Sequence, residues 1–160
     1  MLKETLSFEK RKTTSIVYID KNYFYALGFY HKLTKFLVVI DPIIVSVFAN
    51  GIGIIAHKQA LKSGLDMVDC LVYGFDKISP KGHKKYLRDI EEKGFFVTDF
   101  TSSEVFDRNN LLRRNLIIAG LTNDTVVIQS NFKGGSMNME IMLTSSIRTC
   151  LSSFTWLSIN

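Results

Sequence analysis

The fold is decided by residues 43–53, IIVSVFANGIG, which follow Pro42. Proline is excluded from a helix interior, and the β-branched run Ile43–Phe48 is suited to a central strand. The glycines at 51 and 53 favour a tight turn, and residues 54–62 then have the apolar spacing of a helix. The stretch therefore predicts one strand–turn–helix unit, which is the repeating unit of a mostly parallel sheet.

The same alternation of short apolar runs and amphipathic stretches continues on both sides of this unit. Strands are predicted at 15–19, 43–48, 66–73, 95–100 and 125–129. Helices are predicted at 23–36, 54–62, 80–93, 111–121 and from 134 onward. The helix at 111–121 is apolar nearly all round, which predicts that it is buried or lies under a partner. We expect an α/β fold with a doubly wound, mostly parallel sheet and helices on both faces.

Composition places the chain among ordinary globular proteins. Its 160 residues are 46% hydrophobic and 22% charged, which fits a single domain over residues 1–160. Within it, 1–14 is expected to be an N-terminal extension and 150–160 a tail without an assigned structure. The two cysteines are too few for a disulfide framework, and the three histidines lack metal-ligand spacing.

The N-terminus and the longest apolar stretch both argue against a targeting or membrane segment. The first residues, MLKETLSFEKRK, lack the apolar core of a signal peptide. The stretch at 36–49 is too short to cross a bilayer and is interrupted by Asp41-Pro42. We therefore expect a cytoplasmic protein with reduced thiols, no membrane partner, no metal and no cofactor.

A net charge of +5 permits an anionic partner without requiring one. The basic residues after Pro80 recur at i, i+3, i+4 and i+7, which stacks them on one face of the predicted helix. They are Lys81, Lys84, Lys85 and Arg88. The opposite face is expected to dock on the sheet, with Tyr86, Leu87 and Ile90 inward and His83 packed at its edge. Two interpretations stay open for the basic face: a nucleic-acid contact or an ordinary solvated surface.

Three junctions follow predicted strands and bring glycines to strand ends, where ligands of open α/β sheets bind. They are Asn50-Gly51, Gly74-Phe75-Asp76 and Lys133-Gly134-Gly135-Ser136. Each one alone is also compatible with an ordinary tight turn. A fourth candidate is Arg113-Arg114-Asn115, beside an apolar helix. Two roles are expected for its arginines. They either pair with a carboxylate such as Asp107 or Asp124, or they bind a phosphate through two hydrogen bonds of one guanidinium.

No catalytic motif is present in the sequence. It has no G-x-S-x-G, no P-loop and no G-x-G-x-x-G dinucleotide fingerprint. We therefore expect a binding protein and not an enzyme.

Taken in order, these pieces resemble the DNA-processing protein A (DprA, or Smf) family and its Rossmann-like core. The matching stretches cover most of the chain: 45–53 with 56–61, 74–80, 90–99, 114–121 and 133–137. The resemblance implies a single-stranded DNA binder that hands incoming strands to the RecA recombinase during natural transformation, with no established catalytic activity and a homodimeric core.

The resemblance also implies where DNA phosphates lie. They would meet the strand-end turns and the basic residues of the neighbouring helix. By position, these are Asn50, Gly51, Lys81, Lys84, Lys85, Arg88, Arg114, Asn115, Lys133, Gly134, Gly135 and Ser136.

The sequence departs from the family pattern at two turns. The family's first strand ends in Gly-Ser-Arg, and this chain has Tyr18-Ile19-Asp20 there. In the family's second turn, Ser-Gly-Leu-Ala-Arg-Gly-Ile-Asp, Val47 replaces the glycine, Asn50 the arginine and Gly53 the aspartate.

Two other functions remain open. A degenerate core of this kind can serve as a dimerisation or partner-binding module. The chain also resembles the LOG phosphoribohydrolases, whose motif P-G-G-x-G-T-x-x-E carries a glutamate that acts on the sugar. Glu140 misses that position by one residue.

Overall fold

The computed structural model describes residues 12–19, 23–77, 81–130 and 149–152, and its centre is a six-stranded sheet. The strands are β1 (Thr13–Ile19), β2 (Ile43–Val47), β3 (Met67–Cys70), β4 (Gly94–Val97), β5 (Asp124–Ser130) and β6 (Thr149–Ser152). The α-helices are α1 (Tyr23–Ile40), α2 (Ile52–Ser63), α3 (Leu87–Lys93) and α4 (Arg108–Leu121), and a 3-10 helix spans Lys81–Tyr86. The predicted α/β class is confirmed.

The sheet is doubly wound. Its order is β4-β3-β2-β1-β5-β6, and every neighbouring pair is parallel. The chain builds outward from β1 to β4 and then returns to add β5 and β6 on the other side of β1. This is a Rossmann-like arrangement, and ligands of such sheets bind beyond the carboxyl ends of the strands. The topology therefore places any ligand site at that edge.

Helices cover both faces of the sheet, because successive strand residues point to opposite faces. On one face, Tyr30 of α1 and Ile90 of α3 pack with Ile44 in a core that α2 completes. On the other face, Ile118 of α4 packs with Val45. Burying each such side chain is worth about 1.5–3 kcal/mol, so the two layers supply most of the stabilisation.

Several predicted boundaries are wrong, each for a local reason. The helix predicted from residue 80 is a 3-10 helix followed by the short α3. The strands at 66–73 and 95–100 shorten to β3 and β4, because the pairing ends soon after Cys70. Leu71 N still donates to Val97 O, and the hydroxyl of Thr98 then bonds Tyr73 O in place of a further ladder bond.

The chain ends of the domain also differ from expectation. Thr13 and Thr14 belong to β1, so residues 1–14 are not wholly an extension. β6 lies where no structure was assigned and pairs in parallel with β5.

The helix predicted to be buried or to lie under a partner corresponds to α4. It is not buried on all sides, because Leu116 on its outer face is 54% exposed.

The described residues offer neither a membrane-spanning helix nor a metal-binding cluster. No helix there has the length and apolarity to cross a bilayer. No group of three or more His, Cys, Asp or Glu side chains there is arranged to hold a metal ion.

Candidate nucleic-acid interface

The turn after β2 brings backbone and polar groups to the carboxyl edge of the sheet. Gly51 has a φ of 95°, a conformation that glycine adopts at little cost. α2 starts at the next residue, and the N–H groups of Ile54 and Ile55 donate to Ala49 O and Gly51 O. Asn50 is exposed on this turn, so its amide is available to a ligand at the strand ends.

A cavity of about 300 Å³ opens at the carboxyl ends of β2 and β3. It is lined by Phe48, Ala49, Asn50, Cys70, Leu71, Val72, Tyr73, Phe106, Leu111 and Arg114. The structure thus brings together Asn50 and Arg114, which come from separate sequence motifs. Among the described residues, the lining holds one cation, a few neutral polar groups and aromatic rings, but no carboxylate.

Arg114 is half-buried and is held by a neutral partner. Its Nε and Nη2 donate to Oδ1 of Asn115, at 3.3 and 3.0 Å. Burial lowers the pKa of Arg114 from its ordinary value, while Cys70 and Asp69 act in the opposite direction. Within the described residues, Arg114 forms no ion pair with a carboxylate. In the described part of the chain, its charge is therefore positioned at the cavity with no carboxylate in direct contact.

Asn115 has a positioning role in this arrangement. Its side chain is buried, 5% exposed, and its carbonyl oxygen is occupied by the Arg114 guanidinium. The predicted Arg-Asn pair is thus one unit in which the asparagine orients the arginine.

Arg113 points elsewhere and has carboxylate partners. Its Nη2 lies 3.0 Å from Oδ2 of Asp99, its Nη1 bonds Glu104, and its guanidinium stacks 4.3 Å from the centre of the Phe100 ring. The expected partners Asp107 and Asp124 are wrong. Asp107 instead caps α4 by accepting from the Asn109 N–H, and it was the capping position that kept its carboxylate away from the arginine.

The predicted basic helix is exposed but irregular. Lys81, Lys84, Lys85 and Arg88 all face solvent, although the 3-10 geometry of residues 81–86 means that they do not form one α-helical stripe. Arg88 pairs with Glu92 at 3.1 Å, which partly neutralises it. As predicted, His83 packs, with its ring 5.2 Å from that of Phe48. Ile90 is fully buried as predicted, whereas Tyr86 and Leu87 are only partly buried.

A smaller cavity of about 170 Å³ adjoins the first and shares Phe48, Leu71 and Tyr73 with it. Phe75, from the Gly74-Phe75-Asp76 junction, lines it and is 66% exposed. Lys77 also lines it, and its Nζ donates to Glu104 O at 3.0 Å. The junction was predicted from its glycine alone, although the aromatic residues in the run Val72–Phe75 could have indicated these side chains.

A buried pair beneath this edge was also missed. Nε2 of His57 in α2 lies 3.2 Å from Oδ2 of Asp69 in β3, and both side chains are wholly buried. Their orientation does not complete a hydrogen bond. In the sequence, this pair could have been indicated by the single aspartate within the apolar run 67–71.

Several sequence predictions lie outside the described residues. These are the Lys133-Gly134-Gly135-Ser136 turn, Asp20 and Glu140. The third junction therefore stays a prediction.

Comparison with known proteins connects this geometry to one family. Residues 3–148 match the family DNA recombination-mediator protein A. Protein Smf of Escherichia coli (strain K12) is 32% identical over 95 residues, which cover 59% of this chain and 25% of that protein. The chain thus matches about a quarter of that relative's length.

Two solved structures have the same fold. DNA processing protein A (DprA) from Streptococcus pneumoniae aligns with a TM-score of 0.79 at 22% identity, over 91% of this chain and 51% of the other. DNA processing protein A from Helicobacter pylori, a structure concerned with its single-stranded DNA binding mode, aligns with a TM-score of 0.80 at 20% identity, over 91% of this chain and 66% of the other.

Proposed function

The chain belongs to the DNA recombination-mediator protein A family, and from that premise we propose that it binds single-stranded DNA at the carboxyl edge of its sheet. The observation that carries the proposal is Arg114. This guanidinium lines the larger cavity together with Asn50 and has a neutral amide as its partner. An arginine so placed is suited to a phosphate, which it can contact in a bidentate, charge-assisted way.

The surroundings of Arg114 fit a strand of nucleotides better than a lone anion. Phe106 in the first cavity is 56% exposed, and Phe75 in the second is 66% exposed. Bases stack on exposed aromatic rings regardless of sequence, and a basic surface follows the backbone. The exposed Lys81, Lys84 and Lys85 supply such a surface nearby. We therefore expect binding with little sequence preference.

The same lining favours binding over catalysis. Cys70 is its one thiol, and burial, followed by the charge of Asp69, raises the pKa of Cys70 to about 12. A thiol attacks as the thiolate, so Cys70 is a poor nucleophile near neutral pH. The proposal is accordingly a non-enzymatic one.

The family's description as a recombination mediator supports a further part of the proposal, that the bound strand is handed to a RecA-type recombinase. We also propose that the protein does this as a homodimer. A pull-down of the recombinase with and without DNA tests the transfer, and light scattering tests the dimer.

The partner-binding alternative has its own support in α4, where Leu112 and Leu116 are exposed one turn apart.

Two adjacent arginines allow a matched test of DNA binding. Arg114→Gln removes the cavity cation, and Arg113→Gln removes the same charge from a residue that is already paired. Losing one charge-assisted bond costs about 1.5–3 kcal/mol, so Arg114→Gln should weaken oligonucleotide binding at least tenfold in fluorescence anisotropy. Arg113→Gln should change affinity little. Equal effects of the two variants, or no binding by the unaltered protein at low salt, contradict the proposal.

A further inference from the structure

Two lysine ammonium groups converge on the ring of Tyr86. Nζ of Lys58, from the middle of α2, lies 4.6 Å from the ring centre. Nζ of Lys85, from the 3-10 helix, lies 5.2 Å from it. The three side chains thus bridge the groove between α2 and the segment that leads into α3, a contact that the spacing of the basic residues did not indicate.

This cluster concentrates positive charge without internal compensation. Within the described part of the chain, neither Lys58 nor Lys85 forms an ion pair with a carboxylate. Hydrogen bonding to Lys58 is the largest cause that lowers the pKa of Tyr86 below its ordinary value, and the charges of both lysines act in the same direction. Like charges that share one ring repel each other, and an anion bound at the ring would offset that repulsion.

The cluster is connected to the cavity already described. Phe48 lines that cavity, and its ring lies 5.2 Å from the ring of His83. The His83 ring in turn lies 6.4 Å from that of Tyr86. Two ring contacts therefore separate the Arg114 cavity from the lysine cluster, and the two side chains between them, Phe48 and His83, are buried.

We propose that Lys58, Lys85 and Tyr86 form a second phosphate-binding site for the DNA backbone. The site continues the path of the strand from the Arg114 cavity into the groove between α2 and α3, and it rests on the proposed function. The two ammonium groups contact phosphate oxygens, and the Tyr86 hydroxyl donates a third hydrogen bond. Lys58 is the new member, since nothing in the basic run after Pro80 includes it.

A purely structural role for the same contacts makes a different prediction. A lysine stacked on a tyrosine also ties α2 to the following segment through a cation–π contact. That role would be lost with the Lys58 charge, whereas Tyr86→Phe keeps the ring of the cation–π contact and loses only the hydroxyl that bonds Lys58. Binding a phosphate, in contrast, needs the Tyr86 hydroxyl as well.

Lys62 offers a matched control for Lys58. It lies one turn further along α2 and is exposed, so Lys62→Gln changes the net charge equally without altering the cluster. For Lys58→Gln we expect affinity for an oligothymidylate to fall about fivefold, the upper range for an exposed ion pair. The log–log salt slope should become shallower by about 0.7, the value of one single-strand phosphate contact. Lys62→Gln should change neither.

Tyr86→Phe should weaken binding about tenfold, the lower end for a hydrogen bond to a charged group, and any loss of the Lys58 contact should show separately as a lower melting temperature. If the unaltered protein binds and Arg114→Gln weakens it, but Lys58→Gln and Lys62→Gln behave alike, the second site is overturned while the proposed function stands. A fall in melting temperature for Lys58→Gln with unchanged affinity assigns the cluster a structural role only and also overturns the site.

Discussion

At the scale of single residues, neighbouring positions of α4 have opposite electrostatic environments. Arg113 is neutralised by Asp99 and Glu104, whereas Arg114 is held by the neutral Asn115. Successive helical residues are rotated by about 100° because a turn contains 3.6 residues, so the two guanidinium groups diverge. Charge alone therefore does not identify a binding residue. The partner of each charge has to be known.

The buried contact between His57 and Asp69 is expected to contribute to the stability of the fold. Asp69→Ala leaves His57 wholly buried without its partner. Leaving a buried polar group without its partner costs about 1–3 kcal/mol. We expect the free energy of unfolding, measured in urea, to fall by that amount.

Replacing both members provides the control. His57→Leu combined with Asp69→Val removes both polar groups and keeps the volume similar, which is often neutral or stabilising. The double variant should regain most of the stability that Asp69→Ala loses. A double variant as unstable as the single one would mean that the pair contributes through a contact other than the one between His57 and Asp69.

His83 gives the protein a defined pH dependence. Burial, followed by the charge of Lys58, lowers the pKa of His83 below its ordinary value, which is about 6.5. Between these two pKa values the unfolded chain binds more protons than the folded one, so stability rises with pH there. The stabilisation is complete above about pH 6.5 and is lost as the pH falls through the lowered pKa. His83→Phe keeps the ring contact with Phe48 and should flatten the dependence of melting temperature on pH below 6.5. An unchanged profile would exclude His83 as its source.

At the scale of elements, β2 and α2 approach closely through a complementary pair of residues. A Cβ at Gly53 would contact the carbonyl oxygen of Val47 and lie 2.7 Å from its Cγ2. The family pattern has a glycine at position 47 and an aspartate at position 53, whereas this chain has Val47 and Gly53. The Val47 side chain therefore adds a second contact to a limit that its backbone carbonyl already sets, and a residue larger than glycine at 53 would meet both.

This close approach predicts that a methyl group at position 53 lowers the stability of the fold. Gly53→Ala should lower the free energy of unfolding by about 1–3 kcal/mol, the usual cost of overpacking, as measured by urea denaturation. Gly28→Ala is a suitable control, since a Cβ there meets nothing within 4 Å. In the Val47→Gly background the cost at Gly53 should shrink, because the Cγ2 contact is gone. Equal costs in both backgrounds would show that the carbonyl oxygen alone sets the packing distance.

At the scale of the whole molecule, the sequence predicts the fold better than it predicts the site. Apolar runs with a β-branched composition and glycine turns determine the order of elements, because each strand or helix follows from its own residues. The site depends on contacts between distant segments. Nothing local indicates that Arg113 pairs with Asp99, that residues 81–86 form a 3-10 helix, or that Lys58 meets Tyr86.

The charged surface as a whole determines how the affinity for single-stranded DNA responds to salt. The net charge is +5, but counterions are released only where a basic residue meets a phosphate. Three or four such contacts predict a log–log slope of affinity against salt of roughly −2 to −3, at about 0.7 per single-strand phosphate. Lys84→Glu with Lys85→Glu should abolish binding and leave the circular dichroism spectrum unchanged, because both side chains face solvent. A slope near zero would mean that the strand is held by stacking on Phe75 and Phe106 and not by its phosphates, since stacking releases no condensed counterions.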